Sequence, residues 1–186
     1  MADTARKFEI VSPEDYLRLE RESSHRHEFV NGVIYAMSGG TERHNLIAGD
    51  LYAALTTHLP ARCRPFITDM KLRIKVVSAE FYYFPDSMVC CGPWDQSRDW
   101  RDNPLVVGEV LSPSTERTDR SEKLPAYIGI PTVQEVLLIQ QDTLQIELFR
   151  RSNGWEREVL KAGDTLRLPS IDFAIAVEAL YRRVEF

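Results

Sequence analysis

The chain has 186 residues, with 23 lysine and arginine residues against 28 aspartate and glutamate residues, so its formal net charge is −5 at pH 7. This length is enough for one sizeable hydrophobic core, and we expect a single domain over residues 1–186. The negative charge argues against tight binding of nucleic acid by surface charge alone. It is compatible with a nuclease, because bound metal ions supply positive charge locally.

The sequence shows no membrane segment and no disulfide framework. No apolar run approaches the roughly 18 residues that span a bilayer, and no signal peptide is recognisable, so we expect a cytoplasmic protein without membrane partners. Three cysteines are too few for a disulfide framework, and their spacing fits no zinc site. We interpret the adjacent Cys90 and Cys91 as small buried hydrophobic residues in a reducing compartment.

The N-terminal third predicts a helix, a hairpin and a second helix. Ser12-Pro13-Glu14-Asp15 supplies the cap, the proline and the acids that begin a helix, which we expect to end near Arg21. Asn31-Gly32 between two apolar runs predicts a β-hairpin with a type I′ turn. Apolar residues at helical spacing then predict a long amphipathic helix over Glu42–His58, capped by Thr41.

The rest of the chain predicts strands around one further helix. Two apolar runs, Asp86–Cys91 and Leu105–Leu111, are typical of central strands, and Arg117–Tyr127 has the pattern of a helix. The other expected strands are Arg62–Thr68, Lys71–Val77, Gln134–Ile139, Leu144–Phe149, Trp155–Leu160 and Thr165–Leu168. A last short helix is expected over Phe173–Leu180. These elements predict a mixed α+β fold with an N-terminal hairpin and a C-terminal strand meander.

Two carboxylates lie on the central strands. Glu109 shares one face of its strand with Val107 and Leu111, and burying a carboxylate there is costly unless it is paired or binds a metal. If the two strands pair antiparallel, Asp86 points into the same cleft. Mg²⁺ or Mn²⁺ would keep both acids ionised, because hard cations prefer oxygen ligands. The alternative is a turn aspartate and an edge-strand glutamate in a salt bridge.

A longer pattern joins these acids to a lysine. It consists of Tyr83-Phe84-Pro85-Asp86, Val107-Gly108-Glu109-Val110-Leu111-Ser112-Pro113-Ser114-Thr115, Asp119, Lys123, Tyr127 and Gly129-Ile130-Pro131. With this pattern the chain resembles a bacterial family described as "putative restriction endonucleases", of the PD-(D/E)XK phosphodiesterase superfamily. The resemblance covers roughly Pro13 to Leu180. It implies a restriction-endonuclease-like core, with a mixed sheet flanked by helices and with Asp86 and Glu109 as ligands of Mg²⁺ or Mn²⁺.

The chain departs from the superfamily motif at one position. The motif has a lysine two residues after the glutamate, on the same strand face, where this chain has Leu111. Lys123 lies one or two turns into the next helix and could place its ammonium in the vacated space. There it would orient the attacking water or neutralise the phosphate. The alternative is an ordinary surface lysine.

Three more polar residues are candidates for the site. Glu28, on the first hairpin strand, would be a further metal or water ligand; otherwise it is a surface glutamate of the hairpin. His44, near the start of the long helix, could contact a phosphate or accept a proton, or it is a hydrogen-bonded structural residue. Asp119 is expected to brace Lys123 or the helix, four residues away on the same face.

The leading hypothesis is a metal-dependent endonuclease acting on DNA. Asp86 and Glu109 would bind the metal, Lys123 would be the electrostatic catalyst and Glu28 an auxiliary carboxylate. Members of the superfamily often cut as dimers, so the resemblance also implies a homodimer. One alternative is a catalytically weak or inactive module that binds nucleic acid or oligomerises, which Leu111 and the negative charge favour. Another is a structural dimer without a nucleic-acid role.

Overall fold

The computed structural model describes residues 10–37, 39–95 and 97–186. Its longer helices are α1 (Pro13–Glu22) and α2 (Glu42–His58). A third helical segment is composite: α3 (Glu116–Thr118) continues into a π-helical turn (Asp119–Lys123) and then into α4 (Leu124–Ile128). Within the described ranges, no helix has both the length and the apolar character needed to cross a membrane.

The strands form a large mixed sheet, a smaller mixed sheet and a C-terminal hairpin. In chain order they are β1 (His27–Val30), β2 (Val33–Ala36), β3 (Cys63–Ile67), β4 (Lys71–Val76), β5 (Ala79–Tyr83), β6 (Ser87–Cys91), β7 (Trp100–Arg101), β8 (Pro104–Leu111), β9 (Glu135–Gln140), β10 (Gln145–Arg150), β11 (Arg157–Lys161), β12 (Thr165–Leu168) and β13 (Phe173–Ala176).

The large sheet places the two central strands side by side. Its order is β11-β10-β9-β8-β6-β3, and the small sheet has the order β2-β1-β5-β4-β7. β6 and β8 pair antiparallel, which is the arrangement under which Asp86 and Glu109 were expected to meet, whereas β8 and β9 run parallel and are joined by the composite helix. A parallel pair needs such a crossover, so this helix is held over the sheet beside β8.

Alternate residues of β8 contribute to two cores on opposite faces of the large sheet. Val106 and Val110 pack with α2 and the C-terminal hairpin. Val107 and Leu111 pack with Tyr127 of α4 and with residues of β4 and β5. Glu109 therefore lies among apolar residues, between the sheet and the composite helix, because side chains alternate along a strand.

Most predicted N-terminal elements are confirmed. α2 has the predicted bounds, and Oγ1 of Thr41 accepts a hydrogen bond from the backbone N–H of His44. Asn31 and Gly32 form the hairpin turn with φ values of 46° and 97°, which a type I′ turn requires. α1 packs on the small sheet, where Tyr16 contacts Phe29 and Tyr82.

Three sequence-based expectations are wrong. Phe173–Ala176 is a strand paired with β12 instead of part of a helix, and only Val177–Leu180 forms a helical turn. β5 was not expected and follows β4 through a tight turn. Cys63 and Cys91, opposite each other on β3 and β6, form a disulfide, so Cys91 is not a free hydrophobic residue.

Candidate functional site

The two strand carboxylates meet where β6 and β8 come together. Asp86 immediately precedes β6, and its Oδ2 accepts a hydrogen bond from the backbone N–H of Val110 at 2.8 Å. In return, Oε2 of Glu109 accepts one from the backbone N–H of Asp86 at 3.2 Å. The predicted convergence of these two acids is therefore seen, and the antiparallel pairing of β6 with β8 produces it.

Glu109 is almost completely buried at this point. Its residue is 2% exposed, and Oε1 accepts a hydrogen bond from the hydroxyl of Tyr127 at 2.6 Å. Burial raises the pKa of Glu109 well above its ordinary value, and the charge of Lys123 opposes that rise only in part. A carboxylate in this setting favours binding either a proton or a cation.

Lys123 reaches the carboxylates from the composite helix. Nζ lies 2.9 Å from Oε1 of Glu28 and 3.4 Å from Oε1 of Glu109, and the residue is 7% exposed. Burial alone would lower the pKa of Lys123, but the charges of Glu109, Glu28 and Asp119 outweigh it and raise that pKa. Lys123 is thus a buried, protonated lysine and not a surface residue.

The ammonium beside Glu109 comes from Lys123 of the composite helix and not from position 111 of the strand. Leu111 is buried in the core with Val107 and Tyr127. Lys123 belongs to the π-helical turn, which hydrogen-bonds with a wider period than an α-helix and occurs often at functional sites. The helix therefore supplies the ammonium that the strand does not.

Asp119 begins the π-helical turn and is also buried. Its Oδ1 lies 3.4 Å from Nζ of Lys123 but receives no hydrogen bond from the described residues. Burial raises the pKa of Asp119, and the charge of Lys123 only partly offsets this rise. The contact with Lys123 agrees with the predicted bracing role, and Asp119 lines the same cavity as Asp86.

Glu28 and His44 complete the cluster from the N-terminal half. Oε1 of Glu28 accepts a hydrogen bond from the backbone N–H of Phe84 at 3.4 Å, in addition to its contact with Lys123. Nε2 of His44 lies 3.0 Å from Oδ2 of Asp86. A Cβ at Gly40 would lie 2.9 Å from Nδ1 of His44, so only glycine leaves room for the imidazole in this position.

The protonation of His44 is governed by Asp86. Burial lowers the pKa of the imidazole, but the hydrogen bond that it donates to Asp86 and the negative charge of Asp86 outweigh burial, and the net pKa is raised. The helix N-terminus alone would have disfavoured protonation. His44 therefore orients one oxygen of Asp86 through this contact.

A cavity of about 350 Å³ gives access to these groups. It is lined by His44, Asp86, Glu109, Asp119 and Lys123. Among the described residues, no three histidine, cysteine or acidic side chains are already arranged around one point as metal ligands. The chemistry of the donor set nevertheless fits a hard cation, because it consists of carboxylates and includes the unbonded Oδ1 of Asp119.

Sequence reasoning missed two contributors to this site. Tyr127 was part of the recognised pattern but had no role assigned, although it hydrogen-bonds Glu109. Glu147 of β10 is buried and forms a double hydrogen bond with Arg120 of the π-helical turn, with distances of 2.7 and 2.8 Å. An acid inside the apolar run Leu144–Phe149 was the signal that could have revealed it.

Comparison with known proteins agrees with this architecture. A family model named Uma2 and described as "Putative restriction endonuclease" matches residues 13–178. An uncharacterised protein of Synechocystis is 36% identical over 183 residues, covering 96% of this chain and 95% of that protein. A second one is 32% identical over 146 residues, covering 76% of this chain and 81% of that protein.

A solved structure shares the fold. The crystal structure of a putative nuclease from Anabaena variabilis matches with a TM-score of 0.75 at 18% sequence identity. The match covers 92% of this chain and 98% of the Anabaena chain. The predicted mixed α+β, restriction-endonuclease-like fold is thereby confirmed.

Proposed function

The chain belongs to the Uma2 family of putative restriction endonucleases, and on this premise we propose that it is a metal-dependent nuclease hydrolysing phosphodiester bonds of DNA. The observation that carries the proposal is the position of Lys123, whose Nζ lies 3.4 Å from Oε1 of Glu109. A cation beside the buried strand acid completes the acid-acid-lysine set, although position 111 is leucine.

The carboxylates would hold the metal. Asp86 and Glu109 are the ligands we propose for Mg²⁺ or Mn²⁺, with Glu28 as a third carboxylate at the edge of the cluster. When bound, the ion would polarise the phosphoryl group and lower the pKa of a water molecule. The raised pKa of Glu109 supports this assignment, because a cation would relieve the same unfavourable burial of negative charge.

The remaining residues would act on the phosphate and on the ligands. Lys123, protonated at neutral pH, would neutralise negative charge that develops on the phosphate in the transition state. Tyr127 and His44 would orient Glu109 and Asp86 through their hydrogen bonds, so that the oxygens facing the cavity are fixed before substrate arrives.

The position of Lys123 favours this proposal over the inactive-module alternative. That alternative was favoured by Leu111 at the usual lysine position and by the negative charge, and Lys123 would compensate for the first of these. The proposal also includes a homodimer, in which two sites related by a two-fold axis would each cut one strand of a duplex. Sedimentation of the purified protein, alone and with DNA, tests that part.

Cleavage of supercoiled plasmid tests the activity. We expect wild-type protein to nick or linearise plasmid with Mn²⁺ or Mg²⁺ and to be inactive in EDTA. Glu109→Gln should reduce the rate by at least about 100-fold, as expected for loss of a group that stabilises the transition state. The matched control is Glu156→Gln, which changes an exposed glutamate remote from the cavity and should cleave normally.

Two results would contradict the proposal. Equal cleavage by wild type and Glu109→Gln would point to a contaminating nuclease. No metal-dependent cleavage of plasmid, single-stranded DNA or RNA by folded wild-type protein would favour the inactive-module alternative.

A further inference from the structure

A second cavity, of about 470 Å³, adjoins the catalytic one. The two share Met37, Thr115, Asp119 and Lys123 in their linings, whereas Glu28 lines only the second. The proposed hydrolysis uses Glu28 and Lys123 from the wall of this second cavity and assigns no role to the rest of it. Its volume lies within the range of about 300–1,000 Å³ that is usual for small-molecule sites.

The hairpin side of this cavity is apolar and unusually exposed. Tyr35 is 53% exposed and Met37 is 38% exposed, and both line the cavity together with Val30. Tyr35 lies opposite Glu28 in the register of β1 and β2, so its ring is held next to the acid that contacts Lys123. An open aromatic face thus borders the catalytic groups directly.

The helical side carries charges of both signs, because its lining includes Arg117, Asp119, Glu122 and Lys123. Arg117 of α3 lines the cavity, is exposed, and forms no ion pair with any residue in the described part of the chain. Lys123 lies in the wall that the two cavities share. A ligand spanning both walls would have a flat apolar part on Tyr35 and an anionic part near Arg117 and Lys123, which is the pattern of a nucleotide.

We propose that this cavity is a nucleobase subsite, in which Tyr35 stacks on the unpaired base of a nucleotide adjacent to the scissile phosphate. This inference rests on the proposed nuclease function and specifies its substrate. Aromatic side chains stack on any base, and each such contact contributes substantially to binding of single strands. Arg117 would contact a neighbouring phosphate of the same strand.

The subsite has a consequence for substrate choice. A base within a duplex is already paired and stacked, so it would have to be extruded before it could reach Tyr35. A single strand, or a duplex with a local unpaired position, needs no such step. The preferred substrate class is therefore nucleic acid with an unpaired base beside the cleaved bond.

Fluorescence anisotropy tests the subsite without requiring cleavage. The probes are a labelled oligothymidylate and an abasic oligomer of the same length, measured with Ca²⁺ as the oxygen-liganded cation. Wild-type protein should bind the oligothymidylate about tenfold more tightly than the abasic oligomer, the size expected for one stacked base. Tyr35→Ala should lose this preference, whereas Tyr35→Phe should keep it.

The matched control is Tyr52→Ala, which removes a tyrosine of α2 that lines neither cavity and should retain the preference. The subsite is overturned if wild type binds both oligomers equally, or neither, or if folded Tyr35→Ala keeps the preference. A dimer that dissociates in Tyr35→Ala without a change in oligomer binding would also overturn it, by assigning the surface to a second copy of the chain.

Failure of the subsite and failure of the nuclease are distinguishable. Base preference through Tyr35 without cleavage of plasmid, single-stranded DNA or RNA by wild type would retain the subsite and reject the nuclease. Plasmid cleavage with no effect of Tyr35→Ala on oligomer binding would retain the nuclease and reject the subsite.

Discussion

Asp86 and Glu109 each accept a backbone hydrogen bond from the strand of the other residue. Oδ2 of Asp86 accepts from Val110 at 2.8 Å, and Oε2 of Glu109 accepts from the N–H of Asp86 at 3.2 Å. The distance between the two carboxylates is therefore set by the pairing of β6 with β8. Such preorganisation reduces the conformational entropy that a bound cation would otherwise have to overcome.

Metal binding should stabilise the wild-type protein through these two acids. With Mn²⁺ at 100 times its dissociation constant, the free energy of unfolding should rise by about 2.7 kcal/mol. Asp86→Ala should show little or no rise. Thermal unfolding with Mn²⁺ and with EDTA measures both, and Asp172→Ala, an exposed aspartate outside the cavity, is the control. A Mn²⁺ shift that survives in Asp86→Ala would assign the metal elsewhere.

In EDTA, Glu109 should destabilise the protein increasingly as the pH rises. Burial raises its pKa in the folded state, so the folded protein binds a proton more tightly than the unfolded chain. The resulting stability is complete below the unfolded pKa, near 4.5, and is lost as the pH rises through the higher folded pKa.

Glu109→Gln should therefore be more stable than wild type in EDTA, and the difference in Tm should grow from pH 5 upward. Thermal unfolding across pH in EDTA measures this difference. The variant should gain no stability from Mn²⁺. A Tm difference between Glu109→Gln and wild type that is constant with pH, or that shrinks as the pH rises, would contradict this prediction. It would show that ionisation of Glu109 does not destabilise the folded protein.

Arg120 and Lys123 anchor the π-helical turn on two acids in the same row of the sheet. Glu109 and Glu147 lie opposite Leu138 on either side of β9. Glu147 is 2% exposed, and Arg120 forms a double hydrogen bond with it. Because the two basic residues belong to one short segment, the Arg120 contact helps to fix where Lys123 enters the site.

Arg120→Ala should lower the free energy of unfolding by about 2 kcal/mol, because it removes a partner of a buried carboxylate. The loss is smaller than for an isolated pair, since Arg157 remains 3.2 Å from Glu147. Urea unfolding measures it, with Arg117→Ala as the control on the adjacent helix. An equal decrease in the free energy of unfolding in both variants would mean that the contact between Arg120 and Glu147 does not stabilise the protein.

The disulfide between Cys63 and Cys91 should stabilise the wild-type protein. It closes a loop with a sequence separation of 28 residues, for which chain entropy predicts about 3–4 kcal/mol. Reduction with dithiothreitol should therefore lower the Tm of wild type but not that of Cys63→Ser. Intact-mass analysis after alkylation should find one free thiol, that of Cys90. Three alkylated thiols in unreduced protein would contradict the pairing.

The local patterns predicted the elements better than the contacts between them. The α2 helix and the Asn31-Gly32 hairpin follow from capping residues, helical spacing and positive φ values, which act within a few residues. The Cys63–Cys91 pair and the strand at Phe173–Ala176 depend on which strands become neighbours. No pattern within one strand carries that information.

In the candidate site, too, local patterns predicted individual residues but not the contacts that depend on the tertiary fold. Asp86 and Glu109 could be predicted because each borders or interrupts an apolar strand. The reach of Lys123 depends on the π-helical turn, and the sequence predicted only an ordinary helix there. The buried partner of Arg120, Glu147, lies on a strand two places away in the sheet and is reached only through the crossover after β8.

The most direct test of the account is the rate of Mn²⁺-dependent plasmid cleavage by Lys123→Met. Its control is Lys161→Met, which changes an exposed lysine of β11. If Lys123 supplies the cation missing at Leu111, Lys123→Met should be folded by circular dichroism and cleave at least about 100-fold more slowly, with Lys161→Met unchanged. Cleavage by Lys123→Met at the wild-type rate would contradict the account.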